Sequence, residues 1–336
     1  MENRLQYINL LRLLATVSVI FIHVGSLLIS SQGLERQSPD FMFYEWCHQF
    51  FSFAVPVFVL ISGSLLLDPA KEISYQKVFR KYTPRIVLAL IIFGSLMCLA
   101  EAYTTRTADE GFLAILFRSA VNLLTGRSWA HMWYLYMLLG LYALTPLYKA
   151  FVNQSSPRDL HCLIGVLAVM CVVMPYLKIT QLVPFEGYIM LPVFLFLYPF
   201  GYYISVYLRK GRTSCIVSLA VLVFYAFHVY YCIKTGFEFR GYDIPTVLAA
   251  AAVFHLGSFF TMKKSDLLEN MSRHCFCIYI IHAVFLNAFF KVLHVENFLN
   301  AGPLGNVLIV VSATFALSYA ASSALRSIPF LRKRVL

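Results

Sequence analysis

An arginine and a histidine stand inside the first membrane-length apolar run, Asn9 to Ser30, at Arg12 and His23. A spanning helix ordinarily tolerates neither. Arg or Lys at mid-helix costs about 2.5–3.5 kcal/mol on insertion scales, so an ionisable group inside a span is by default a functional-site hypothesis. Eleven residues at 100° each bring the two side chains back to within about 20° of one another, on one helix face. At 1.5 Å per residue they lie roughly 16 Å apart along the axis, too far to pair, so each needs another partner. Histidine moves protons near neutrality and arginine binds anions. The plainer alternatives are an Arg12 that snorkels from near the helix start as an anchor and a His23 held as a structural histidine.

The elements that must position this pair are membrane helices. The chain is 60% hydrophobic and 16% aromatic, with only 13% charged residues and a mean hydropathy of +0.73. No soluble domain has that balance. Long apolar stretches fall near residues 8–30, 43–67, 85–104, 131–152, 160–177, 189–208, 214–233, 245–262, 275–293 and 303–325, which predicts about ten transmembrane helices. The run from Gly111 to Leu124 is apolar but short and holds Arg118, so it reads as a re-entrant or interfacial helix. The first run carries Arg12 and lacks a small-residue cleavage pattern, so it is expected to stay attached.

Basic residues fix the expected orientation. With the N-terminus inside, 18 of the 27 Lys and Arg fall on the cytoplasmic side and 8 on the other, Arg12 completing the set. That bias predicts both termini cytoplasmic and an even number of spans. It also accounts for the net charge of +11 without nucleic acid, leaving anionic lipid headgroups as a secondary attraction. The fold expected is an all-α integral membrane protein, one bundle over residues 1–336 with no appended soluble domain. Of the eight cysteines, Cys98, Cys162, Cys171, Cys215, Cys232, Cys275 and Cys277 read as small packing residues in or beside spans, and Cys47 lies within the 43–67 stretch. No Cys-x-x-Cys pair suggests zinc, and no metal is expected.

The densest charge cluster, Lys71, Lys77, Arg80, Lys81 and Arg85, surrounds Pro84 at the start of the third span. It reads either as a pure positive-inside signal or as a phosphate cradle, because arginine's planar fork donates two parallel hydrogen bonds to phosphate and a helix N-terminus near Pro84 adds backbone donors.

Four blocks in order along the chain carry a resemblance. The first is Asn9-Leu10-Leu11-Arg12 with His23, and the second runs from Val55-Pro56-Val57-Phe58 to Ile61-Ser62-Gly63-Ser64-Leu65-Leu66. The third is His131-Met132-Trp133-Tyr134-Leu135-Tyr136, running on to Tyr142 and Thr145-Pro146-Leu147, and the fourth runs from Ser272-Arg273-His274 to Ile278-Tyr279-Ile280-Ile281-His282. Together they resemble the membrane-bound acyltransferase family 3, most closely its short, single-domain members that O-acetylate surface polysaccharides such as enterobacterial common antigen. One departure concerns the third span. The family often has two basic residues three apart there, whereas Tyr82 stands three before Arg85, so Arg80 and Lys81 must substitute.

The resemblance implies transfer of an acyl group, usually acetyl from acetyl-CoA, to a hydroxyl of a surface polysaccharide or lipid-linked glycan in the bacterial cytoplasmic (inner) membrane. A sugar hydroxyl is a poor nucleophile at neutral pH, and a placed imidazole base is worth about 10²–10⁴ in rate. His23 is then the general base and Arg12 orients the thioester or a CoA phosphate, while Arg85, Arg80 and Lys81 hold the CoA phosphates. His282 is a candidate for proton relay or substrate contact, or else a packing histidine. Tyr279 falls in the same block. Trp133 and His131 belong either to an interfacial aromatic belt or to a platform for the acceptor sugar. Ser62 and Gly63 read as close-packing residues, His228 and His255 as packing residues, and Glu101 and Glu186 as weak sugar contacts. A proton-coupled transporter or glycan flippase also suits buried Arg and His, although the two related halves common in transporters are not evident. A non-catalytic partner of an export complex is the third reading.

Overall fold

The computed structural model describes residues 2–107, 109–179, 190–237, 243–295 and 301–336, and among them every regular element is a helix, with no strand. Eight helices are long and apolar enough to cross a membrane. These are α1 (Glu2–Gln32), α2 (Pro39–Leu66), α3 (Tyr75–Thr104), α5 (Ala130–Gln154), α6 (Pro157–Lys178), α8 (Arg212–Thr235), α10 (Asp266–Val292) and α11 (Gly302–Ser327). Three shorter apolar helices, α4 (Phe112–Leu124), α7 (Val193–Tyr207) and α9 (Ile244–Gly257), and the short α12 (Pro329–Arg334), complete the set.

Two of the ten expected spans, 189–208 and 245–262, are thus represented by α7 and α9, of 15 and 14 residues. Fifteen helical residues rise about 22 Å, less than the roughly 30 Å of hydrocarbon. Both helices are enclosed by protein, which explains how short apolar helices satisfy their backbone and side chains. In α7 Phe196, Leu197, Tyr198 and Tyr202 are buried, and in α9 the alanines at 249, 250 and 252 are.

Close approach explains the glycine of the second block. A Cβ on Gly63 of α2 would collide with the Tyr198 carbonyl oxygen of α7, and one on Gly201 of α7 would collide with the Leu60 carbonyl oxygen. The two backbones touch at this crossing, and only glycine fits on either side. Gly25 lets α1 meet α2, where a Cβ would come within 2.6 Å of the Tyr44 carbonyl oxygen. With α2, α9, α10 and α11 also packed around it, α1 carries Arg12 and His23 through the centre of the bundle.

Polar ties lock these contacts. The Ser272 hydroxyl donates to Asn9 Oδ1 at 2.9 Å, joining α10 to α1, and His274 Nδ1 lies 2.8 Å from Ser322 Oγ, joining α10 to α11. His228 Nε2 of α8 lies 3.6 Å from Asp243 Oδ2, while Asp243 caps α9 by accepting from the Thr246 amide and hydroxyl. Arg118 is also structural. It forks onto Glu110 at 2.8 and 2.9 Å and donates to the Ala102 carbonyl at 2.6 Å, stapling α4 to the end of α3. The rest of α4 exposes Phe112, Leu113, Phe117 and Leu124.

Candidate active site

A cavity of about 540 Å³ opens between α1, α2, α3, α5, α10 and α11. Five cations line it: Arg12, Lys71, Arg85, Arg273 and Arg326. Among the described residues no aspartate or glutamate lines it. Arg85 is tethered, its Nε donating to the Val335 carbonyl at 3.0 Å and its guanidinium lying 5.2 Å over the Phe276 ring. That leaves both terminal nitrogens of the fork for a ligand. Arg273 pairs with Glu269 one turn earlier, and Arg326 Nη1 donates to the Arg273 carbonyl at 3.2 Å. Arg12 enters from α1 beside Tyr134, Tyr142 and Cys275. Such a lining suits a polyanion with an apolar arm, because guanidinium forks match phosphate and most of the remaining wall is aliphatic or aromatic, with Ser62, Ser272 and Cys275 between.

Beyond the cavity three imidazoles converge from α1, α5 and α10. The ring centroids of His23 and His282 are 5.2 Å apart, those of His131 and His282 5.0 Å, and those of His23 and His131 6.2 Å. Hydrogen bonds assign two tautomers. His131 Nε2 donates to the Ile280 carbonyl at 2.8 Å, and His282 Nδ1 donates to the Tyr279 carbonyl at 2.7 Å. Since a carbonyl oxygen only accepts, the neutral rings keep lone pairs at His131 Nδ1 and His282 Nε2. His282 is fully buried, and its Nε2 has no hydrogen-bond partner. A buried acceptor left unpaired is costly, and His255 Nε2 is in the same condition.

Three rings of the cavity lining pack on one another, Phe58 from α2, Tyr134 from α5 and Tyr279 from α10, and Tyr279 joins the cavity to the histidines. Their centroids lie 5.2–6.2 Å apart, and Tyr279 also touches the rings of His131 and His282 at 5.9 and 6.0 Å. The Tyr279 hydroxyl donates to the His131 carbonyl at 2.6 Å, which fixes that ring in place.

The expected residues fall into three groups. Arg12, Arg85 and Tyr279 line the cavity, and His23, His131 and His282 form the cluster behind it. Arg80 and Lys81 lie on an exposed π-helical turn, Val78–Tyr82, outside the lining, and Trp133 packs on Phe194 at 5.5 Å, also outside it. Glu101 is exposed at the end of α3, and Glu186 lies outside the described residues. Arg273, which falls in the fourth sequence block, and Arg326, which the sequence offers only as one of the cytoplasmic basic residues, join the lining. A helical signal for α10 did exist, because Ser272, Cys275, Phe276 and Tyr279 recur at three- and four-residue steps and all line the cavity.

The acyltransferase-domain profile of the acyltransferase 3 family matches residues 5–323, a span that holds all three histidines and every cavity residue except Arg326 and Leu336. No curated protein and no solved structure matches the chain. An all-α membrane bundle, a cation-lined cavity and a family match over nearly its whole length agree: the chain belongs to the acyltransferase 3 family of membrane acyltransferases.

Proposed function

We propose that the protein is a membrane-embedded O-acyltransferase that moves an acetyl group from acetyl-CoA to a hydroxyl of a cell-surface polysaccharide or lipid-linked glycan in the bacterial inner membrane, with both termini cytoplasmic. The observation that carries this reading is the stacking of two chemistries: five cations without a carboxylate in the cavity lining, and three imidazoles joined to it by Tyr279. Arg85, Lys71, Arg273 and Arg326 hold the phosphates of the donor, while Arg80 and Lys81, exposed one turn before, add attraction at longer range. Arg12, deeper on α1, orients the thioester. His23 accepts the proton of the sugar hydroxyl as its oxygen attacks the thioester carbonyl. The new C–O bond forms, the C–S bond breaks, and the proton passes from His23 to the thiolate, releasing CoA as the thiol. The lone pair of His282 Nε2 beside the His23 ring supplies an acceptor for the His23 N–H, orienting the base or relaying its proton. Family membership does not favour the transporter or flippase reading.

The test is acetyl-CoA binding and CoA release by the purified detergent-solubilised protein, with monodispersity checked for every variant. His23→Ala is expected to bind acetyl-CoA and to lose release by about 10²-fold or more, the contribution of a general base. A monodisperse His23→Ala protein with full transfer activity refutes the base assignment, and wild-type protein that binds no acyl-CoA refutes the donor.

A further inference from the structure

We propose that Phe58, Tyr134 and Tyr279 are the acyl-length selector of this enzyme, admitting a two-carbon acyl group to the histidines and excluding longer ones. The inference rests on the acyl-CoA reading above and adds to it the residues that set the length of the acyl group. The three rings come from three different helices and meet at centroid distances of 5.2–6.2 Å, so together they form the inner wall of the cavity. None of the three histidines lines that cavity, and Tyr279 lies against two of them. An acyl carbonyl brought from the cations toward His23 therefore meets this wall, with the imidazoles of His131 and His282 against its Tyr279 ring. Tyr134 and Tyr279 are buried, and Tyr279 is anchored at its hydroxyl by the His131 carbonyl, so neither ring can swing aside without breaking packing or a buried hydrogen bond. Phe58 is the partly exposed ring without a polar anchor, and its size sets the space left for the acyl chain. Close-packed walls of this kind discriminate by about 10–200-fold for one methylene.

The experiment measures kcat/KM with acetyl-, propionyl- and butyryl-CoA for the wild type, Phe58→Ala, Phe58→Leu and Tyr134→Phe. Wild type is expected to favour acetyl over butyryl at least tenfold. Phe58→Ala should narrow that ratio at least tenfold, Phe58→Leu, which keeps apolar bulk, should narrow it less, and Tyr134→Phe, which keeps the ring, should retain it. Wild type that uses the three donors equally overturns the selector. So does an active Phe58→Leu or Phe58→Ala protein with the wild-type ratio, or a ratio lost in Tyr134→Phe. Failure of the underlying reading looks different: wild type cleaves none of the three thioesters, and the selector falls with it.

Discussion

Replacing Arg85 by alanine separates the cavity's chemistry from the general basicity of its surroundings. Arg85 uses Nε on the Val335 carbonyl and rests on Phe276, so under the proposed reading its two terminal nitrogens would bind a phosphate at little further cost in side-chain entropy. A hydrogen bond to a charged group is worth about 1.5–3 kcal/mol, and every 1.4 kcal/mol is tenfold in affinity. Arg85→Ala should therefore weaken acetyl-CoA binding by about 10- to 150-fold, measured by calorimetric titration of monodisperse protein in detergent. Arg80→Ala and Lys81→Ala remove exposed charges outside the lining and should cost no more than about threefold, the scale of a surface charge, with that small effect vanishing at high salt. Arg85→Lys keeps the charge but loses the fork and should fall between. The reasoning is refuted if Lys81→Ala or Arg80→Ala weakens binding as much as Arg85→Ala, because the cradle would then lie on the exposed turn rather than in the cavity.

Two further outcomes follow from the packing and the tautomers. Gly63→Ala puts a methyl group against the Tyr198 carbonyl, so α2 and α7 must separate; overpacking of this kind costs about 1–3 kcal/mol and should lower the detergent melting temperature. His282→Asn keeps a side-chain donor for the Tyr279 carbonyl but removes the lone pair of Nε2, so CoA release should fall by about 10²-fold with acetyl-CoA affinity unchanged; equal losses in affinity and rate would assign His282 to packing instead.

Arg12 and His23 stood out in the sequence because each is a charge or imidazole in an apolar run, where the cost of placement is itself the signal, and Arg85 because it belongs to the densest cationic cluster. The convergence of the histidines was not legible: His131 bonds the carbonyl of Ile280, 149 residues away, and only the meeting of α5 and α10 brings them together. The substitution of Arg80 and Lys81 for a missing basic residue followed linear spacing, but their turn is π-helical and exposed, and the cavity instead takes Lys71, Arg273 and Arg326 from other elements. The apolar runs at 189–208 and 245–262 correspond to helices of 15 and 14 residues, since an apolar run measures what avoids water and does not tell where a helix begins and ends. Arg118 shows the same limit from the other side. Its place in an apolar run marked the helix as unusual, yet its partners Glu110 and Ala102 are visible only once α4 folds against α3.

The all-cationic lining has a consequence for turnover. Under the proposed reading, the phosphates that bind the donor are the same phosphates that remain on the departing thiol. The contacts made by Arg85, Lys71, Arg273 and Arg326 therefore stabilise donor and product alike and contribute nothing selective to the barrier for acyl transfer. Spent CoA then competes with fresh donor on nearly equal terms. The enzyme would respond to the ratio of acylated to free CoA rather than to donor concentration alone, slowing glycan modification whenever that ratio falls.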